Sequence, residues 1–152
     1  MSEITRGTEI ETQLERIEEE FDASGTLVGI VVGSDEDRAR MSAAEEYLAG
    51  RGIASEVRVT DVADEVRRYC EGARASGLKV LIVAAAMKTA LPGIAAAHTD
   101  LPVIGVPLVA DGLDPSDSLL ATVQVPAANP VACVAIDGAE SAGRLAARII
   151  NA

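Results

Sequence analysis

The sequence predicts a single α/β domain in which a parallel sheet of about five strands carries helices on both faces. The chain has 152 residues, enough for one domain to bury a core without disulfides or metals. Apolar segments alternate with helix-forming segments, and this order requires crossover connections between parallel strands. The apolar residues are mostly small, with 27 alanines and only 2% aromatic residues, so helices can lie close to the sheet.

The first segment predicts an amphipathic, acidic helix over residues 8–21. Its apolar residues recur every three or four positions, at Ile10, Leu14, Ile17 and Phe21. Ser24 and Gly25 interrupt this pattern. We therefore divide the chain into an N-terminal tail and helix, residues 1–24, and an α/β domain, residues 25–152.

Five segments of the second part have the patterns of strands. The segments 27–32 and 80–85 are apolar throughout, which is typical of strands buried on both faces, whereas 54–60 alternates. In chain order the predicted strands are 27–32, 54–60, 80–85, 101–106 and 133–136.

Helices are predicted between these strands and after the last one. Glycines at 50, 52 and 77 mark helix ends, and the first strand is followed by a turn, Gly33-Ser34-Asp35. The predicted helices are 41–50, 62–75, a short alanine-rich helix after Leu91-Pro92-Gly93, 116–123 and 140–151.

The charge balance argues against two classes of partner. Thirteen Lys and Arg against 24 Asp and Glu give a net charge of −11, and such a surface repels nucleic acid and anionic membranes. Lys79 and Lys88 are the two lysines in the sequence. A saline cytoplasm and a GC-rich genome both explain an acidic chain poor in lysine, and the sequence leaves both explanations open.

Cysteine and aspartate spacing indicates no metal site or disulfide framework. Cys70 and Cys133 are isolated and form no CxxC motif, which favours a reducing compartment. Asp111, Asp114 and Asp117 lack the spacing of a calcium loop and are better explained by a capped loop. With no apolar run of membrane length and no leader pattern, we expect a cytoplasmic protein without cofactor.

In a parallel sheet the ligand binds at the carboxyl ends of the strands, so the turns there are the candidate site. Gly33 permits close backbone approach, and Ser34 offers a hydroxyl to a phosphate; alternatively Ser34 or Asp35 only caps the next helix. Lys88 follows the third strand. It is either a cation that binds a ligand or a solvated charge on the surface. His98, the single histidine, is expected to be structural and partly exposed, so no catalytic triad is indicated.

The order of motifs resembles the aminoimidazole ribonucleotide carboxylase and carboxyaminoimidazole ribonucleotide mutase (PurE) family of purine biosynthesis. The similar segments are VGIVVGSDED from Val28, GIASEVRV from Gly52, GLKVLIVA from Gly77, LPG from Leu91, TDLPVIGVP from Thr99, DSLL from Asp117 and VQVPAANPVACVAI from Val123. They follow one another in the family's order and leave the N-terminal helix as an addition.

The resemblance implies a flavodoxin-like, three-layer fold and a compact homo-oligomer, usually an octamer, with sites near subunit contacts. The family's GSxSD turn binds phosphate and ribose through its Ser and Asp, which correspond to Ser34 and Asp37 beside Gly33. No cofactor is implied, and the implied ligand is a nucleotide.

The resemblance does not extend to the residues that carry out the family's chemistry. Where the family has SAHRTP, with a histidine and a phosphate-binding arginine, this chain has the shorter run Thr60-Asp61-Val62-Ala63-Asp64. Where the family has GAGGAAHLPG, whose histidine handles the proton at the imidazole carbon, this chain has Ala90. The glycines of that motif are replaced by Ala84, Ala86 and Met87.

Three functions remain open on this sequence. The leading hypothesis is a divergent member that binds a phosphoribosyl aminoimidazole or a related carboxylated nucleotide, with altered chemistry. In the second, Lys88 or Asp61 substitutes for the missing groups, and the carboxylase or mutase activity is retained. In the third, the protein is a non-catalytic assembly or regulatory paralogue whose old site is closed by Ala86, Met87 and Ala90.

Overall fold

The computed structural model describes residues 9–13, 25–86, 90–109, 112 and 114–152. Residues 9–13 are helical and belong to the predicted N-terminal helix, the rest of which lies outside the described residues. From Gly25 onward the elements are β1 (Val28–Val32), α1 (Asp35–Arg40), α2 (Ser42–Gly50), β2 (Ser55–Val59), α3 (Ala63–Ala73), β3 (Val80–Ala85), α4 (Leu91–Ala97), β4 (Val103–Pro107), α5 (Pro115–Val123), β5 (Ala132–Cys133) and α6 (Ala139–Ile150).

Within the described residues the sheet has five strands in the order β2-β1-β3-β4-β5. Each adjacent pair is parallel; Ile30 of β1, for example, is in register with Val57 of β2 and Ile82 of β3. The predicted parallel α/β sheet is therefore confirmed. All residues of β1 and β3 are buried, as their continuous apolar runs predict. All residues of β4 are buried as well.

Two apolar layers cover the two faces of this sheet, because successive side chains of a strand point to opposite sides. One layer joins β1, β3 and β4 to α2 and α6, with Met41, Leu48 and Ala146 at its centre. The other joins the same strands to α3 and α4 through Val66, Cys70 and Leu91. This is the three-layer architecture that the sequence predicts.

Small residues also bring helix α6 close to helix α2. A methyl group built on Gly143 of α6 would lie 3.1 Å from the carbonyl oxygen of Ala44 in α2. The helices therefore meet almost backbone to backbone. No helix in the described part of the chain is long and apolar enough to cross a membrane.

Candidate functional site

The strand order places the crevice of the sheet between β1 and β3. Strand β2 pairs with one side of β1, and β3 pairs with the other side. The connections that follow β1 and β2 therefore run in opposite directions along the sheet. Ligands of open parallel sheets bind at such a divergence, outside the carboxyl ends of the strands. The turns after β1, β2 and β3 therefore form the candidate site.

Gly33, which follows β1, is the point where three segments meet. A methyl group built on Gly33 would lie 3.7 Å from a carboxylate oxygen of Asp37, 3.8 Å from Cδ1 of Leu91 and 3.9 Å from Cβ of Asp61. These residues belong to α1, to the start of α4 and to the turn after β2. The structure therefore brings together the predicted site residues Gly33, Asp37 and Asp61.

Ser34 caps α1. Its Oγ accepts a hydrogen bond from the backbone N–H of Asp37 at 3.2 Å, and its carbonyl oxygen accepts from the N–H of Arg38. The capping alternative for Ser34 is thus observed. A hydroxyl that accepts a hydrogen bond keeps its own hydrogen to donate, so the cap leaves Ser34 able to donate to a phosphate oxygen. Ser34 is exposed and Asp37 half-buried.

The turn that holds Asp61 is fixed by its neighbour Thr60. Thr60 is buried, its N–H donates to the carbonyl of Val32 at 2.8 Å, and its hydroxyl donates to Glu65 at 2.5 Å. The N–H of Val62 donates to the same hydroxyl at 3.1 Å. Asp61 itself is exposed beside this rigid turn, with its carboxylate available to a ligand.

The segment after β3 is described only at its ends. Ala86 is half-buried and Ala90 exposed. Lys88, a predicted site residue, and Met87, one of the residues expected to close the site, lie outside the described residues. Ala90 precedes α4 in the left-handed conformation, with φ 42° and ψ 32°, which is costly for a residue with a side chain. Its carbonyl accepts from the N–H of Ile94 at 3.2 Å.

Acidic groups outnumber cations around Gly33. Asp35, Glu36 and Asp37 form the first turn of α1, and Asp61 lies near Gly33 on the turn after β2. Arg40, at the end of the same helix, is engaged, because it pairs with Glu36 at 3.4 Å and donates to the carbonyl of Val109. A phosphate placed here would meet few positive charges among the described residues.

A second group of residues at this end of the sheet is absent from the sequence predictions. Arg40, Val109 and Asp137 line a cavity of about 350 Å³ beyond the ends of β4 and β5. Asp137 has φ 56°, and its carboxylate accepts from the N–H of Val109 at 3.1 Å. The Asp137-Gly138 dipeptide is a turn signal, but its proximity to Arg40 depends on the tertiary fold.

Other predicted features have structural roles. His98 is partly exposed and lies 3.4 Å from Glu71, as expected for a structural histidine. Asp114 caps α5 by accepting from the N–H of Ser116 at 3.0 Å, and this bond lowers the pKa of its carboxyl group, which supports the capped-loop interpretation. Groups of three or more residues suited to hold a metal ion do not occur among the described residues.

Most of the chain is similar to known proteins. The family model described as AIR carboxylase matches residues 27–152. The N5-carboxyaminoimidazole ribonucleotide mutase of Mycobacterium tuberculosis (strain ATCC 25618 / H37Rv) is 46% identical over 128 residues, which cover 82% of this chain and 74% of that protein. The chloroplastic phosphoribosylaminoimidazole carboxylase of Vigna aconitifolia is 40% identical over 83% of this chain, which corresponds to 23% of that longer protein.

A solved structure extends the comparison to the fold. The crystal structure of Treponema denticola PurE superimposes with a TM-score of 0.72 at 25% sequence identity, covering 82% of this chain and 80% of that chain. The observed strand order and the two helical layers agree with a flavodoxin-like α/β fold. The family model covers the whole of the described sheet, and the chain therefore belongs to the AIR carboxylase family.

Proposed function

We propose that this chain binds an aminoimidazole ribonucleotide, or a related carboxylated nucleotide, at the Gly33 turn and serves purine biosynthesis. The observation that carries the proposal is the convergence of Asp37, Asp61 and Leu91 on Gly33 at the divergence of β1 and β3. Relatives that carry mutase and carboxylase names support the ligand class.

Each polar group at the turn has a chemical task in this proposal. The Ser34 hydroxyl donates to a phosphate oxygen while its Oγ continues to accept from the Asp37 N–H. The Asp37 carboxylate accepts from ribose hydroxyls. Gly33 has no side chain, so the ligand approaches the backbone closely there.

We further propose that the chemistry at this site is altered. Moving a carboxyl group from the exocyclic nitrogen to the ring carbon requires a proton to leave that carbon, and a positioned acid or base contributes roughly 10²–10⁴-fold to such a step. Ala90 has no group that carries a proton. Asp61 is the described titratable side chain nearest to Gly33 after Asp37.

A second candidate is retained mutase or carboxylase activity with a substitute acid or base. The 46% identity to proteins named N5-carboxyaminoimidazole ribonucleotide mutase favours it. Asp61 and Lys88 are the candidates for the substitute group. A non-catalytic role is the third; it requires the site to be closed, and Ala90, one of the three residues invoked for closure, is exposed.

The experiment measures binding and turnover separately. Calorimetry with carboxyaminoimidazole ribonucleotide should show binding by the wild type that weakens in Ser34→Ala. The ultraviolet change on ring carboxylation should be negligible for the wild type beside the M. tuberculosis mutase as positive control. Ala90→His, which restores the family's proton carrier, should raise the rate.

Each opposite result changes the conclusion. Robust wild-type turnover would overturn the altered chemistry, and loss of that turnover in Lys88→Ala or Asp61→Asn would identify the substitute group. Absence of binding at millimolar nucleotide would overturn the proposed ligand class. Thermal melting of every variant confirms that the fold is intact.

A further inference from the structure

A second cavity lies on the outer side of the sheet, between the edge strand β2 and helix α3. Its volume is about 490 Å³, and Arg58, Glu65, Arg68 and Tyr69 line it. Cavities that bind small molecules have volumes of roughly 300–1,000 Å³. None of the four belongs to the Gly33 turn; Arg58 lies in the GIASEVRV segment of the family resemblance, whereas Glu65, Arg68 and Tyr69 lie outside the segments quoted for it.

Arg58 is oriented by an aromatic ring and has no ion-pair partner in the part of the chain that the structure describes. Its guanidinium carbon lies 5.1 Å from the centre of the Tyr69 ring. The Tyr69 hydroxyl donates to Glu56 at 2.9 Å, which holds the ring in place. A stacked guanidinium keeps its N–H donors at the edge of its plane, in the geometry that binds two oxygens of a phosphate.

Arg68 adds a second positive charge to the same cavity. Its partner among the described residues is Asp64, at 3.4 Å, and the Arg68 side chain is 66% exposed. Asp64 also pairs with Arg67, at 2.5 Å, so one carboxylate is shared between two arginines. Arg68 is therefore held loosely and is available to a ligand.

Glu65 limits which anions fit. Its carboxylate accepts a hydrogen bond from the buried Thr60 hydroxyl, which fixes the side chain at the cavity wall. A bare anion would be repelled by Glu65. A ligand with both a phosphate and hydroxyl groups would place the phosphate at the arginines and donate a hydroxyl hydrogen to Glu65.

We propose that this cavity is a binding site for a phosphorylated sugar, with Arg58 and Arg68 on the phosphate and Glu65 on a sugar hydroxyl. The site is separate from the Gly33 turn and does not depend on the function proposed for that turn. Its two arginines come from the neighbouring elements β2 and α3, which are linked by the Thr60–Glu65 hydrogen bond and by the packing of Arg58 over Tyr69.

The test uses ribose 5-phosphate as probe, with ribose and inorganic phosphate as partial ligands. Calorimetry should show that ribose 5-phosphate binds more tightly than either partial ligand. Arg58→Gln and Arg68→Gln should each weaken binding about tenfold or more, since each removes a charge-assisted contact. Backbone amide shifts on titration should be largest at the start of α3.

Two control variants locate the ligand. Arg51→Gln removes an arginine that also lies over a tyrosine ring, 5.6 Å from the centre of Tyr47. Arg51 follows α2, and Tyr47 packs in the apolar layer on the face of the sheet opposite to Tyr69. Arg51→Gln should bind like the wild type, whereas Ser34→Ala tests whether part of the probe binds at the Gly33 turn. If Ser34→Ala weakens binding and Arg58→Gln does not, the sugar phosphate occupies the Gly33 turn and this inference is wrong, while the proposed function gains support.

Two further results overturn the inference. One is no binding of ribose 5-phosphate at millimolar concentration by the folded wild type. The other is an equal loss of affinity in Arg58→Gln and Arg51→Gln, because that would show a general effect of charge and not a site.

Discussion

Ser34 takes part in both the local structure and the proposed binding, and the two roles use different parts of one hydroxyl group. The oxygen accepts from the Asp37 N–H, which completes the first turn of α1. The hydrogen remains for a ligand. Helix α1 buries none of its residues, so its caps account for much of its stability.

Two substitutions at Ser34 separate these roles. Ser34→Ala removes the cap and should lower the free energy of unfolding by about 1 kcal/mol. Ser34→Asp keeps an oxygen acceptor at the cap and should unfold like the wild type, but its negative charge should repel a phosphate. Urea denaturation and nucleotide calorimetry should therefore show weaker binding in both variants and lower stability in the alanine variant alone. Unchanged binding in Ser34→Asp would argue against a phosphate at this turn.

Cys70 makes the free energy of unfolding depend on pH in the alkaline range. It is buried against the sheet, and burial raises the pKa of its thiol from 9.0 to about 11. In the unfolded chain the thiol ionises at a lower pH than in the folded protein. Its contribution to the free energy of unfolding is therefore complete below pH 9 and is lost as the pH rises toward 11. The free energy of unfolding should fall across that window.

Cys70→Val should flatten this fall, since valine fills a similar volume and does not ionise. The measurement is urea unfolding at a series of pH values. Cys133→Val is the matched control; burial raises the pKa of Cys133 as well, but this thiol is only half-buried, so its removal should flatten the curve less. Equal slopes in the wild type and Cys70→Val would show that the thiol is not the cause.

At the scale of the elements, the sheet depends on glycines that leave room for side chains of the covering helices. Gly29 of β1 lies beneath the Tyr69 hydroxyl, and Gly105 of β4 lies against the methyl group of Thr122. Tyr69 therefore reaches across β1 to Glu56 on β2 and links α3 to the edge of the sheet. Without the glycine, α3 would have to move outward.

Gly29→Ala should destabilise the domain by about 1–3 kcal/mol, the usual cost of overpacking. The added methyl would meet Tyr69 and would lie 2.9 Å from Leu81 Cδ2. Gly72→Ala is the matched control, because this glycine lies on α3 with no atom within 4 Å of the added methyl, and it should stabilise the helix by roughly 0.5–1 kcal/mol. Urea unfolding of both variants is the measurement. A neutral Gly29→Ala would contradict the described packing of Tyr69.

Among the elements, the sequence predicted bounds best where burial on both faces makes a strand apolar throughout. The predicted strand 80–85 has the same bounds as β3, because all six residues are buried and the apolar run has no interruption. The prediction missed α1 because Asp35–Arg40 has no apolar face and is defined by its caps. It placed the fifth strand at 133–136, whereas β5 pairs with β4 at Ala132 and Cys133, since the chain then turns at Asp137.

The candidate site was predicted in part for a related reason. Gly33 and Ser34 were identified from the turn that follows the first strand, and Asp37, three residues later, from the family's GSxSD motif. The contact of Gly33 with Asp61 and Leu91 joins segments that are distant along the chain, and it depends on the strand order. The Arg58 cavity gives no local signal either, because its residues come from β2 and α3.

At the scale of the whole molecule, the net charge of −11 is the dominant property. Pairs such as Arg144 with Glu140, at 2.9 Å, and Arg74 with Asp100, at 3.0 Å, occur on the surface, but carboxylates remain in excess. We propose that the chain assembles into a homo-octamer, as the family resemblance implies. Leu120 and Val123, both well exposed on α5, are candidates for the subunit contacts. Bringing copies together multiplies the charge repulsion.

Salt should therefore stabilise both the fold and the assembly. The Debye length falls from about 10 Å at 0.1 M salt to about 3 Å at 1 M, which shortens the range of repulsion between carboxylates. The Tm should rise with KCl over this range, and sedimentation in the same series should show a larger species at high salt. A variant with Asp35→Asn and Glu46→Gln should have a smaller dependence of Tm on salt. A flat Tm would contradict the saline explanation of the acidic composition, and a stable monomer at micromolar concentration in molar salt would contradict the octamer.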